Sequence, residues 1–139
     1  MNQLTAPPGQ PRPEGHGAGP DAGRSQRPWG WFETLAEGPG YRVKRLFIEP
    51  GQRISLQRHG QRSENWVVVA GTGLLTCDDA RIRAEPGTSL FIPVAAMHRA
   101  EAHAKGGGLT IIEVQRGPWL SEDDIERFDD DYGRLVAPT

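Results

Sequence analysis

Gln57, His59 and Glu64 bring an amide, an imidazole and a carboxylate together within eight residues of this sequence. If Gln57 and His59 lie in one strand, their side chains point to the same face, because strand side chains alternate with a period of two. Polar side chains that face an apolar interior need hydrogen-bond partners or a shared ion. A turn at Gly60 would bring Glu64 back toward that face. Such nitrogen and oxygen donors are typical of a site for a first-row divalent metal.

The remaining ligand of this site is expected from a distant strand. His98 is the candidate, because it follows Ile92 and Pro93 and precedes the apolar run 109–114. The alternative for each histidine is an ordinary, partly buried residue, and for Glu64 a solvated position at the start of a strand. The spacing of the four residues together favours the metal site.

The length and composition set the class of protein. A chain of 139 residues is long enough for one domain with a buried core. The net charge of −2, without a basic stripe, argues against nucleic acid as a partner. The single cysteine, Cys77, excludes an internal disulfide framework and a multi-cysteine zinc site. Because no long apolar run and no signal-peptide core are present, we expect a cytoplasmic protein with no membrane partner.

Residues 1–27 are rich in proline and glycine and contain almost no large apolar side chains. Such a segment cannot bury enough surface to offset the entropy lost when it is ordered. We expect it to be a disordered tail, followed by one folded domain over residues 28–139. His16 lies in this tail without a second metal-binding residue beside it.

The rest of the chain is a succession of short apolar segments bounded by glycine, proline or aspartate turns. Strands are predicted at 41–48, 53–59, 66–70, 74–77, 81–84, 89–92 and 109–115. This pattern indicates an all-β barrel or sandwich. The C-terminal segment differs, because Ser121 and the acidic residues after it predict a helix N-cap, with Ile125, Phe128 and Tyr132 on one helical face. We therefore expect an all-β fold with a short C-terminal helix.

The sequence carries two motifs of the cupin superfamily. The first, G-x5-H-x-H-x4-E-x6-G, is matched, with glutamine at its first histidine, by Gly51, Gln57, His59, Glu64 and Gly71. The second, G-x5-P-x-G-x2-H, is matched, with alanine where glycine is usual, by Gly87, Pro93, Ala95 and His98. Both motifs in this order resemble cupins and imply their double-stranded β-helix, a single jelly-roll barrel.

Residues 27–134 also resemble a narrower family, the C-terminal domain of type II mannose-6-phosphate isomerases. In bifunctional enzymes this domain accompanies a mannose-1-phosphate guanylyltransferase domain. The resemblance rests on segments 27–30, 41–45, 55–59, 64–69, 92–93, 98–99, 112–115, 122–125 and 132–134. It implies zinc as the expected ion, with cobalt, manganese, nickel or iron as alternatives. The metal ligands that it implies are Gln57, His59, Glu64 and His98.

The chain departs from that family at three positions. In that family a run of histidines usually follows the glutamine, whereas this chain has Gly60 and Gln61 in place of histidines. Asn65 stands where the family frequently has another histidine. Metal binding through the four matching positions does not require the missing histidines. Catalytic proton transfer, in contrast, can depend on them. No glycine-rich nucleotide loop is present, so nucleotidyl transfer is not expected of this chain.

The resemblance implies interconversion of mannose 6-phosphate and fructose 6-phosphate, feeding GDP-mannose and polysaccharide synthesis. Isomerisation removes a proton next to a carbonyl, so it needs a base and stabilisation of the developing charge. A metal can supply that stabilisation as a Lewis acid. The base stays open among Lys44, His103 and a metal-bound water.

Cations are needed to bind the substrate's phosphate. The residues expected in catalysis are Lys44, Arg45 and Arg99, and those expected to bind substrate are Arg45, Arg62 and Arg99. Arg45 shares a strand face with Val43 and Phe47, so it would point into the barrel if that face is interior.

Two other functions are compatible with the same residues. The first is a metal-containing cupin that binds a sugar phosphate or polysaccharide precursor without converting it, which the missing histidines and partner domain favour. The second is an iron-dependent oxygenase, although such cupins usually carry more histidines in the first motif. A homodimer is expected by analogy with other cupins and because open sheet edges pair readily, and a separate guanylyltransferase is a possible partner.

Overall fold

A computed structural model of the protein describes residues 23–135. Most of the tail expected at residues 1–27, including His16, lies outside the described residues. The described part contains no helix with the length and hydropathy needed to cross a membrane.

Within residues 23–135 the chain forms eleven β-strands. They are β1 (Ser25–Arg27), β2 (Gly30–Gly38), β3 (Tyr41–Ile48), β4 (Leu56–Arg58), β5 (Ser63–Ala70), β6 (Gly73–Cys77), β7 (Ala80–Ala84), β8 (Ser89–Ile92), β9 (His98–Ala102), β10 (Leu109–Arg116) and β11 (Glu126–Asp129). One sheet has the order β1-β2-β3-β10-β5-β8 and the other the order β11-β4-β9-β6-β7, with antiparallel pairing throughout. The prediction of an all-β cupin barrel is confirmed. Strand β1 covers residues 25–27, just before the domain boundary expected at residue 28.

The side chains that the central strands direct into the barrel differ between its two ends. At one end the facing residues are apolar, with Ile48 paired to Leu109 and both fully buried. This end continues into a core of large apolar side chains that includes Ile54, Val68, Leu75, Ile92 and Ile111. Burial of each such side chain stabilises the fold by about 1.5–3 kcal/mol.

At the other end the same inner face carries polar side chains. Glu113 of β10 lies between its cross-strand partners Lys44 of β3 and Trp66 of β5, and Gln115 lies beside Glu64. Cross-strand partners share a face, so all five side chains project into one end of the barrel. The functional site is therefore expected at this polar end.

The prediction of a C-terminal helix is wrong. The cap expected at Ser121 does form, because its hydroxyl accepts a hydrogen bond from the Asp123 amide at 3.0 Å, but the chain completes only a turn. It then enters strand β11, which pairs with β4 at the edge of the five-stranded sheet. That pairing supplies hydrogen bonds to an open strand edge, and a helix in this place would leave the edge uncovered.

Candidate metal centre

His59, Glu64 and His98 converge at the polar end of the barrel, where their ligand atoms all lie within 4.8 Å of one another. All three side chains are buried. The Nε2 atoms of His59 and His98 lie 3.3 and 3.6 Å from the two carboxylate oxygens of Glu64. The two sheets face each other here, since Glu64 comes from β5 and His98 from β9.

Both imidazoles are oriented through their second nitrogen. Nδ1 of His59 donates to the Asp124 carbonyl at 2.6 Å, and Nδ1 of His98 donates to the Ala96 carbonyl at 2.9 Å. Each Nε2 lone pair is thereby aimed at Glu64, the arrangement by which proteins orient histidine ligands. Burial, with smaller contributions from Arg62 and His98, lowers the pKa of His59 to about 4. Burial also lowers the pKa of His98, so both rings are neutral at pH 7, as metal binding requires.

Gln57 completes the predicted set. It pairs with His98 across β4 and β9 and lines the same cavity. Its amide nitrogen donates to the carbonyl and the hydroxyl of Ser55 at 3.2 and 3.1 Å, which leaves the amide oxygen as the atom for a metal. Two imidazoles, one carboxylate and one amide oxygen suit a first-row divalent ion. The donor set of this chain therefore fits the metal that the sequence predicts.

Arg62 also lies in the cavity, as expected for a substrate-binding residue, but it contacts the metal donors directly. Its Nε donates to Glu64 at 2.9 Å, and one terminal nitrogen lies 3.3 Å from Nε2 of His59. The other terminal nitrogen donates to the Ser121 carbonyl at 3.2 Å. The positive charge of Arg62 is therefore paired with the Glu64 carboxylate, next to the metal donors.

Lys44 lies on the inner face of β3 and is 4% exposed. Its ammonium forms an ion pair with Glu122 and lies 4.0 Å from the centre of the Phe32 ring. The structure therefore places the Lys44 cation inside the cavity.

Arg45 does not point into the barrel, which corrects the prediction. The inner face of β3 is formed by Lys44, Leu46 and Ile48. Arg45 lies on the opposite face, with 43% of its side chain exposed, and pairs with Glu33 at 2.7 Å. It therefore has no access to the metal donors.

Arg99 and His103 are also outside the cavity lining. Arg99 follows His98 in β9 and points to the opposite face, where it donates to the Ile54 carbonyl and to Asp129, each at 2.9 Å. His103 lies exposed after β9 and accepts a hydrogen bond from the Lys105 amide at 3.1 Å. Arg99 thus links the outer face of β9 to the end of β11, and His103 is remote from the proposed chemistry.

Glu113 is a buried carboxylate in the cavity that the sequence analysis did not single out. It accepts hydrogen bonds from Nε1 of Trp66 at 2.9 Å and from the Gln115 amide at 2.8 Å. Burial, followed by the charge of Glu64, raises the pKa of Glu113 to about 7. The available signal was its place on the same face of β10 as the buried Leu109 and Ile111.

In the metal-free protein, Glu113→Gln is expected to stabilise the fold above pH 7 by roughly 3 kcal/mol. The folded pKa of about 7 exceeds the ordinary value of 4.5, so the stability from the protonated carboxyl is complete below pH 4.5 and is lost as pH rises through 7. Glutamine stays neutral throughout. The oxygen of the Gln115 amide has no hydrogen-bond partner among the described residues, so that amide can turn to accept from Gln at this position.

Urea unfolding of parent and Glu113→Gln between pH 5 and pH 8 tests this, with the exposed Glu85→Gln as the matched loss of one charge. The gap between parent and Glu113→Gln should widen as pH rises. A gap that stays constant across this range would show that the Glu113 carboxyl does not titrate as described.

The cavity that these residues share has a volume of about 80 Å³. The cavity is partly open to solvent. Besides the residues above, its lining includes the charged side chains of Arg27, Glu122, Arg127 and Arg134, none of which the sequence analysis assigned to the site.

Residues 21–130 match the family model described as "Mannose-6-phosphate isomerase C-terminal". The chain is 46% identical over 112 residues to the alginate biosynthesis protein AlgA of Pseudomonas aeruginosa, covering 81% of this chain and 23% of that protein. It is 44% identical over 110 residues to a mannose-1-phosphate guanylyltransferase of Escherichia coli K12, covering 78% of this chain and 23% of that protein. The chain thus spans about a quarter of the length of these relatives.

Solved structures show the same architecture at lower sequence identity. A cupin-2 domain protein from Rhodospirillum rubrum superposes with a TM-score of 0.57 at 21% identity, over 68% of this chain and 67% of that one. This likeness concerns the fold alone. Taken with the match over residues 21–130, it shows that the chain belongs to the mannose-6-phosphate isomerase C-terminal family and has the cupin fold.

Proposed function

We propose that this chain is a metal-dependent isomerase that interconverts mannose 6-phosphate and fructose 6-phosphate. The observation that carries the proposal is the convergence of His59, Glu64 and His98 in a buried cavity that also holds the Lys44 cation. Membership of the family supports it, as do the names of relatives concerned with alginate biosynthesis and mannose 1-phosphate.

The metal would be held by Gln57, His59, Glu64 and His98, and zinc is the expected ion. When bound, it would polarise the carbonyl and hydroxyl oxygens on the two carbons between which the proton moves. Neutral imidazoles and an ionised Glu64 are the protonation states that these ligands need.

The chain's own residues would provide the remaining requirements of the isomerisation. Lys44 contributes a positive charge that does not depend on the metal, and its burial strengthens the electrostatic interactions around it. Of the bases left open by the sequence, Lys44 lies in the cavity and His103 does not. Glu113 is the cavity group that would carry the proton between the two carbons, because Lys44, as a cation paired with Glu122, has no lone pair to accept it.

The three departures from the family pattern lie away from the cavity lining. Gly60 and Gln61 are exposed, and their amides donate to the Asp124 carboxylate at 2.8 and 2.9 Å. Asn65 is exposed on the outer face of β5. The missing histidines would thus have occupied a surface turn and an outer strand face, which favours the isomerase over the binding-only alternative.

The proposal also covers location and assembly. We expect a cytoplasmic homodimer that works with a separate guanylyltransferase. Apolar side chains on the outer face of β5 and β8 support pairing, since Val67, Val69 and Phe91 are 41%, 47% and 50% exposed.

The test is to strip the protein of metal, reload it separately with zinc, cobalt, manganese and iron, and follow formation of fructose 6-phosphate from mannose 6-phosphate in a coupled assay. Activity should depend on the metal and should vanish in His59→Ala. If every form is inactive while elemental analysis confirms bound metal, the isomerase is rejected. Heat released on titration with sugar phosphate would then favour the binding-only cupin, and oxygen uptake by the iron form would favour the oxygenase.

A further inference from the structure

Three arginines line the cavity that contains the metal donors, and the isomerase mechanism above does not use them. They are Arg27 at the end of β1, Arg127 in β11 and Arg134 in the C-terminal segment that follows β11. They are separated by up to 107 positions in the sequence (134 minus 27), so only the fold brings them together.

Arg127 is placed by strand pairing. It lies opposite Gln57 in the β11–β4 pair, and partners in register project to the same face of a sheet. The Cβ atoms of such partners are about 5 Å apart. The guanidinium of Arg127 therefore lies on the same wall of the cavity as the amide ligand.

The guanidinium of Arg127 is not fully satisfied. Its Nε is buried and has no hydrogen-bond partner among residues 23–135. Burial, followed by the charges of Arg134 and Arg27, lowers the pKa of Arg127, and the charge of Asp130 opposes this effect only partly. Buried donors in folded proteins nearly always have an acceptor, so this group of like charges favours an anionic ligand.

The other two arginines are held in place by different contacts. Arg134 donates to both oxygens of Asp130, at 2.8 and 3.0 Å. Arg27 lies 4.8 Å from the centre of the Phe32 ring, the same ring that Lys44 contacts. Phe32 thus connects the arginine cluster to the cation beside Glu113.

We propose that Arg27, Arg127 and Arg134 bind the phosphate group of the substrate. This inference rests on the proposed function, which identifies the molecule that carries the phosphate as a hexose 6-phosphate. An open-chain hexose 6-phosphate has its carbonyl at one end and its dianionic phosphate at the other, and guanidinium groups bind phosphate through paired hydrogen bonds. The cluster takes the part that the sequence analysis gave to Arg45 and Arg99, which the fold directs elsewhere.

Calorimetric titration of the full chain with inorganic phosphate and with fructose 6-phosphate tests the cluster. The metal-free and the metal-loaded protein are both titrated, because phosphate bound by the ion itself is absent from the metal-free form. Arg127→Gln and Arg27→Gln should each weaken phosphate binding by about ten-fold or more, the effect of losing one hydrogen bond to a charged group. Arg83→Gln is the matched control, since 81% of that side chain is exposed.

Thermal unfolding and zinc content show whether each variant is folded. Arg27 is exposed at the end of β1, so Arg27→Gln should fold even if Arg127→Gln does not. In an active enzyme both changes should raise KM for mannose 6-phosphate more than they lower kcat.

The outcomes for the phosphate site and for the isomerase are separable. Arginine-dependent phosphate binding by a chain without turnover would support the phosphate site and reject the isomerase. Turnover combined with phosphate binding that Arg27→Gln and Arg127→Gln leave unchanged would overturn the phosphate site and keep the isomerase. A parent protein that binds no phosphate in either form would also overturn the phosphate site.

Discussion

Glu64→Gln is expected to lower the affinity for zinc or cobalt by more than about 100-fold, because loss of a group that merely orients a ligand already costs 10–100-fold. Glu64 is the anionic member of the proposed donor set, it is 1% exposed, and its two oxygens face the two imidazoles. Glutamine has the same size, so the cavity keeps its shape and only the negative charge is lost. Isomerase activity should disappear with the metal.

Two measurements separate loss of the metal from loss of the fold. Elemental analysis after dialysis gives the bound metal, and thermal unfolding gives stability with and without it. The parent should gain about 2.7 kcal/mol at a free metal concentration of one hundred times Kd, and the variant almost nothing. Without metal the variant should be less stable than the parent, because the buried Arg62 guanidinium loses its ion-pair partner, and the relief of repulsion between Glu64 and Glu113 offsets this loss only in part.

Glu33→Gln is the matched control, since Glu33 pairs with Arg45 on the outer face of the barrel. It should retain the metal and the activity. Full zinc content in Glu64→Gln would contradict the assignment of Glu64 as a ligand. It would indicate that the histidines bind the ion together with a different ligand.

The predicted metal donors converge in the structure because they depend on local rules. The period of two within a strand places Gln57 toward the interior, and the glycine turn after His59 returns the chain to Glu64. The distant His98 followed from the spacing of a second motif. The convergence of these donors needs only the two sheets to face each other, which is what a jelly roll does.

Arg45 shows where alternation alone is insufficient. Strand β3 has two faces with similar apolar content, one with Val43 and Phe47 and the other with Leu46 and Ile48. Period two states that Arg45 and Lys44 point in opposite directions, but not which one is inside. The pairing with β10 decides which face is inside, because Leu109 and Glu113 of β10 lie opposite Ile48 and Lys44 of β3.

Two further errors concern β9 and β11. Strand β9 was not predicted because its inner face carries only the small Ala100 and Ala102 beside His98. Strand β11 was predicted as a helix because acidic residues after Ser121 satisfy the local rules for a helix start. Its pairing with β4, about 70 positions earlier, determines its structure and brings Arg127 to the cavity.

Gly71→Ala is expected to destabilise the fold by more than about 4 kcal/mol, the range of the most damaging single substitutions. Gly71 has φ +87°, a conformation that costs an L-residue about 1–2 kcal/mol. A Cβ there would also lie 1.9 Å from the Gly108 carbonyl oxygen and 3.0 Å from the Leu109 Cα. Both are backbone atoms at the start of β10, so the β5–β10 pairing itself would have to shift.

Gly87→Ala separates the two causes of that loss. Gly87 has a similar φ of +97°, but a Cβ there would meet nothing within 4 Å among the described residues. Its loss of stability should therefore be the conformational cost alone, about 1–2 kcal/mol. Urea unfolding of both variants measures the difference, which should exceed about 2 kcal/mol. Equal losses would mean that the approach of β5 to Gly108 is loose enough to admit a methyl group, and that Gly71 is required only for its backbone conformation.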